Sequence, residues 1–82
     1  MTREEVFEEI TKVFREEFDD PSLVIVDETD SGDIEDWDSL AHVELVMTME
    51  KVFNMKFNIK EVGKLKNVGE MADLILRKQA EQ

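Results

Sequence analysis

Three times along the chain a side chain able to cap a helix is followed, three residues later, by glutamate: Thr2 with Glu5, Asn58 with Glu61, and Asn67 with Glu70. In such a pair the first side chain accepts from a backbone N–H that the helix leaves unsatisfied, and the glutamate reaches back. Each pair therefore marks a helix start. After the first, Val6, Phe7, Ile10, Val13, Phe14 and Phe18 recur at helical spacing, which predicts a helix over about residues 3 to 18. The second opens a short turn around Ile59 and Val62, ended by Gly63, and the third a terminal helix with Val68, Met71, Ala72, Ile75 and Leu76 as its apolar stripe. A fourth helix begins at Asp38 or Ser39 and runs through about Met55. The fold class is thus all-α: a four-helix bundle of three longer helices and one short helix, with a long ordered loop between helices one and two.

That loop covers residues 19 to 38. Its Leu23-Val24-Ile25-Val26 run has the composition of a strand, but a lone strand has no pairing partner in a helical chain. We read it as a loop pinned into the core by some of Leu23, Ile25, Ile34 and Trp37. No repeat, low-complexity tract or linker interrupts the chain, so residues 1–82 are expected to form one domain. Its 82 residues are too few to enclose a deep enzyme cleft.

Charge is unevenly placed. Residues 1 to 50 hold 17 Asp and Glu against 3 Lys and Arg, whereas residues 51 to 82 hold 4 against 7, within a net charge of -11. An acidic surface of this kind repels nucleic acid and anionic membranes and favours basic protein partners, although solubility alone would account for acidity equally well. There is no cysteine, so any thiol chemistry must use an imported thiol. With a charged start at Arg3-Glu4-Glu5 and no apolar run of membrane length, we expect a cytoplasmic monomer without membrane insertion.

Asp38 and Ser39 stand at the start of the second helix, where unsatisfied N–H groups and the helix dipole welcome a phosphate. Ordinary capping would place an Asp-Ser pair there as well. The surrounding residues add specificity: Trp37-Asp38-Ser39-Leu40, then Val43-Glu44-Leu45-Val46-Met47, Glu50-Lys51-Val52-Phe53 and Asn67-Val68-Gly69-Glu70-Met71. At these intervals the chain resembles the acyl carrier protein family over nearly its whole length. The resemblance implies that Ser39, flanked by Asp38 and Leu40, is the attachment point of 4′-phosphopantetheine, delivered from coenzyme A by a phosphopantetheinyl transferase that uses Mg²⁺. It implies a carrier of thioester-bound acyl groups between loading and transferring enzymes, with no catalysis and no metal site of its own. The chain departs from members that serve fatty-acid synthesis at Trp37 and Ala41 and in the basic stretch from Asn58 to Lys66, so both fatty-acid and specialised acyl or polyketide pathways stay open.

On a helical wheel at about 100° per residue with Leu40 at zero, Leu45, Val46, Met49, Val52 and Phe53 form one stripe, which is expected to be buried. Leu40, Val43 and Met47 fall on the other side, beside Glu44 and Glu50. An apolar trio on a charged face is expected to be the partner-binding patch. Most of the other methionines fall in apolar stripes and read as core filling.

The alternative function is a calcium-binding protein. Asp27 to Asp38 mimics an EF-hand loop, with an acid first, Gly32 sixth, Ile34 eighth and a carboxylate twelfth, although Pro21 and the β-branched run occupy the place of the entering helix. A hydrolase pairing of Ser39 with His42 lacks an orienting acid and an oxyanion-hole signature. His42 is taken as an ordinary helix residue and Trp37 as a packing anchor.

Overall fold

A computed structural model describes residues 1–81. Four helices follow in order, α1 (Arg3–Glu17), α2 (Ser39–Phe53), α3 (Ile59–Gly63) and α4 (Val68–Glu81), and no strand occurs among the described residues. The start signals work as their chemistry requires. Thr2 Oγ1 accepts from the Glu5 N–H at 3.2 Å while Glu5 Oε1 accepts from the Thr2 N–H at 2.8 Å, and Asn58 and Glu61 repeat the exchange. At the third start Asn67 Oδ1 accepts from the Glu70 N–H, but the Glu70 carboxylate reaches one residue further back, to the Lys66 N–H. α2 stops two residues before the expected Met55. Asn54 takes a left-handed conformation (φ 51°), which an asparagine tolerates and which closes the helix.

The core lies between α1 and its two neighbours, α2 and α4. Val6, Ile10 and Phe14 of α1, Leu45 and Met49 of α2, and Val68, Ala72 and Ile75 of α4 are essentially sealed from solvent. Phe14 stands at the centre, 5.9 Å from the Phe18 ring and edge-on to Trp37 at 5.1 Å. The stripe expected of α2 is narrower than the wheel suggests. Leu45, Met49 and Phe53 are buried, whereas Val46 is half-buried and Val52 is 44% exposed. Those two valines sit at opposite edges of the stripe, and only Val46 lines a groove with α3 residues.

The long loop is ordered by polar bonds as much as by packing. Ile25, Ile34 and Trp37 are buried, with Leu23 half-buried against the same core. The Val68 and Gly69 N–H groups, orphans at the start of α4, donate at 2.9 Å to the carbonyls of Thr29 and Asp27. Buried Thr29 turns its hydroxyl to the Val26 N–H at 2.9 Å. Arg3 fastens the same junction from α1: its guanidinium grips both Asp27 carboxylate oxygens (2.8 and 3.2 Å), reaches Asp73 at 3.1 Å, and lies over the Phe7 ring.

This architecture removes the calcium-loop alternative. No helix leads into Asp27, since α1 ends at Glu17; the Asp27 carboxylate is held by Arg3, and the Asp30 and Asp33 carboxylates accept from Gly32 and Asp30 N–H groups within the loop. Among the described residues no three potential metal-binding side chains converge.

Candidate functional site

Ser39 is the first residue of α2, and Asp38 is its cap. Asp38 Oδ1 accepts from the Ala41 N–H at 2.9 Å, satisfying one orphan donor. The Asp38 carboxylate is thereby engaged by the backbone, and the exposed Ser39 hydroxyl makes no hydrogen bond among the described residues. A free hydroxyl at the positive end of a 15-residue helix is suited to accept an anionic substituent.

From Ser39 a groove of about 760 Å³ runs between α2 and α3, with walls formed by Val43, Val46, Phe57, Ile59, Val62 and Leu65 and polar groups from His42, Glu50, Asn58 and Lys66. Along the outer face of α2, Leu40 is 68% exposed, Val43 54% and Met47 52%, with Glu44 exposed beside them. Glu50 is placed differently from the other acid of that face. It is half-buried, and its Oε2 accepts from the Phe57 N–H at 2.9 Å, so it braces the chain entering α3.

His42 also differs from its expectation as an ordinary helix residue. Trp37 Nε1–H, which can only donate, points at His42 Nδ1 at 3.2 Å, and the rings stack at 20°. Nδ1 is therefore the acceptor, and Nε2, which carries the proton, donates to the Val62 carbonyl at 3.3 Å. His42 thus ties the loop, α2 and α3 together at the groove floor. Both ring nitrogens are committed, so His42 is no base for Ser39 and the hydrolase pairing fails. Nothing in the spacing of Trp37, His42 and Val62 announces this chain of contacts, because it crosses a helix start and then leaves the helix.

One electrostatic feature lies at the edge of the face. The Glu17 carboxyl, at the end of α1, is pushed above the usual carboxylate range by a hydrogen bond to Glu44, with burial and the Glu44 charge adding to the effect.

No family-level sequence profile matches the chain. An acyl carrier protein of Saccharopolyspora erythraea is 33% identical over 76 residues, which span 93% of this chain and 80% of that protein. The chain belongs to the acyl carrier proteins. The solution structure of a holo acyl carrier protein from Geobacter metallireducens superposes with a TM-score of 0.86 at 43% identity, covering 93% of this chain and 87% of that one. The protein is accordingly a carrier and not an enzyme, and the four-helix architecture is that of its family. No helix among the described residues is long and apolar enough to cross a membrane.

Proposed function

We propose that residues 1–82 are one carrier domain that holds acyl groups as thioesters on 4′-phosphopantetheine, joined through its phosphate to Ser39 Oγ. The observation that carries this reading is the Ser39 hydroxyl: exposed, without a hydrogen bond among the described residues, and at the first position of a long helix. The group fits the surroundings. Its phosphate would sit at the N-terminal end of α2, and the apolar-walled groove that begins at Ser39 offers room for a flexible arm. When bound, the arm supplies the thiol that a chain without cysteine cannot.

The residues around it have separable tasks. Asp38 fixes the helix start through the Ala41 N–H, so that the Ser39 hydroxyl points outward for a phosphopantetheinyl transferase acting on coenzyme A. Leu40, Val43 and Met47 give partners an apolar contact, and Glu44 offers a charge to basic residues on the partner. Glu50 serves the same face from within the groove wall by holding Phe57. Acyl-loading and acyl-transferring enzymes of a fatty-acid or specialised acyl or polyketide pathway, in the cytoplasm, are the partners of this reading, with the carrier acting as a monomer that raises the local concentration of its cargo.

Co-expression with a broad-specificity phosphopantetheinyl transferase, followed by intact-mass measurement, tests the attachment. One arm is expected on the parent and none on Ser39→Ala, with helical circular dichroism unchanged. An arm that persists on Ser39→Ala, or a parent that takes none, overturns the proposal.

A further inference from the structure

None of the five side chains of α3 is buried, so its own packing does not fix where this helix stands. On the α4 side Glu61 reaches Lys78 and Arg77 at 3.0 and 3.9 Å. Toward α2 there is one hydrogen bond among the described residues, from His42 Nε2 to the Val62 carbonyl at 3.3 Å. That carbonyl lies at the C-terminal end of α3, where helix carbonyls lack their usual donor, and the Lys66 N–H, four residues on, goes to Glu70 instead.

The bond also has a fixed origin. The other ring nitrogen of His42 accepts from Trp37 Nε1–H at 3.2 Å, and the buried indole is itself set edge-on against Phe14 at the centre of the core, 5.1 Å from ring to ring. An imidazole held at one nitrogen by an immobile partner presents the other nitrogen in one direction. Phe14, Trp37, His42 and Val62 thus form a continuous path from the core to α3. The path runs past the attachment serine: Trp37 stands two residues before Ser39 and His42 three after it, and Ser39, His42 and Val62 line one groove.

We propose that His42 is a positioning residue for the modification of Ser39: it seats α3 against α2 and so shapes the groove that a transferase meets around the serine. The inference rests on the carrier reading. His42 does not act on the reacting hydroxyl, because both of its ring nitrogens are committed elsewhere. Its loss leaves the Asp38 cap and the Ser39 hydroxyl as they are and lowers the fraction of carrier in which α3 is seated. An enzyme that binds only the seated form then meets a weaker apparent affinity by that fraction, with the chemical step unchanged once the carrier is bound.

The test gives the full chain to a broad-specificity phosphopantetheinyl transferase with coenzyme A and measures kcat and KM for the carrier. Amide exchange and the Trp37 indole N–H resonance are followed on the same protein, ¹⁵N-labelled. His42→Ala should raise KM at least about threefold with kcat within about twofold of the parent. It should also speed exchange from Val62 to Leu65 and leave the protection of α1 and α4 at the parent level. Two amides divide the functions of the imidazole between them. In His42→Gln the side-chain nitrogen stands near the place of Nε2 and can donate to Val62, so KM and α3 exchange should return toward the parent. In His42→Asn the side-chain oxygen stands near the place of Nδ1 and can accept from Trp37, so the indole resonance should stay in place while KM remains raised. A His42→Ala protein with the parent's KM, glutamine and asparagine variants that behave alike, or exchange that speeds equally in all four helices each overturns the inference. If the parent takes its arm and one of these results is found, this inference alone falls; if the parent takes none, the carrier reading falls with it.

Discussion

Replacing Gly69 with alanine sets two effects of similar size against each other, and the geometry decides between them. Gly69 is the second residue of α4, so alanine would favour the helix and restrict the unfolded chain by up to about 1 kcal/mol. Its Cβ, however, would stand 3.0 Å from the Asp27 carbonyl oxygen and 3.1 Å from both Asp27 Cβ and Oδ2. Relaxed contacts of carbon lie nearer ~3.5–4.0 Å. Neither Asp27 group yields easily, because its carbonyl accepts from the Gly69 N–H at 2.9 Å and its carboxylate is held by Arg3 at 2.8 Å. Overpacking of a fixed site costs roughly 1–3 kcal/mol, and a stretched hydrogen bond adds about 0.5–1.5 kcal/mol. The net expectation is a loss of about 1–2 kcal/mol, which in a domain of this size lowers Tm by roughly 5–15 °C. Thermal unfolding followed by circular dichroism measures it. Gly63→Ala is the internal control: no atom lies within 4 Å of its added Cβ, so its Tm should stay level or rise by a few degrees. A Gly69→Ala protein as stable as the parent would refute the close seat of α4 on the loop.

Two pH-dependent predictions follow from the carboxylates. The Asp27 carboxyl is held below its usual range first by the Arg3 hydrogen bond, so it stabilises the fold above the unfolded Asp value of about 3.9 and ceases to as pH falls through the lower folded value. Arg3→Met should therefore lower Tm at pH 7 and narrow its difference from pH 3; an unchanged acid limb would show that the contact is idle. Glu17 has the opposite sign: its raised folded value means stability is present at low pH and lost as pH rises through that value. Glu17→Gln should accordingly raise Tm at pH 7 with little change near pH 4, and a Tm that falls at both would rule out the Glu17–Glu44 contact.

The helices were legible because capping and periodicity are local properties. Thr2 with Glu5 and Asn58 with Glu61 need only each other, and both exchanges form. Ser39 was legible for the same reason, since an Asp-Ser pair before an apolar stripe declares a helix start. What depends on neighbours far along the chain was not legible. The wheel could not know that no other element would cover Val52, or that Glu50 would turn inward to the Phe57 N–H. His42 became a tie because Trp37 and Val62 meet it from two other segments, and Arg3 joins residues 24 and 70 positions away. Asn54 and Met55 show the limit at a boundary: an asparagine able to adopt a left-handed conformation ended α2 where apolar periodicity alone ran on.

α3 has no buried side chain, and its polar moorings are few: His42 to the Val62 carbonyl, Glu50 to the Phe57 N–H, and Glu61 to Lys78 at 3.0 Å with Arg77 at 3.9 Å. None of them contributes more than modestly to stability, so their release falls well short of dismantling the Phe14-centred core. The protein should therefore exchange its amide hydrogens in two tiers. Protons on α3 are lost through a local opening that leaves α1, α2 and α4 standing, while those deep in the three long helices wait for the whole chain to unfold.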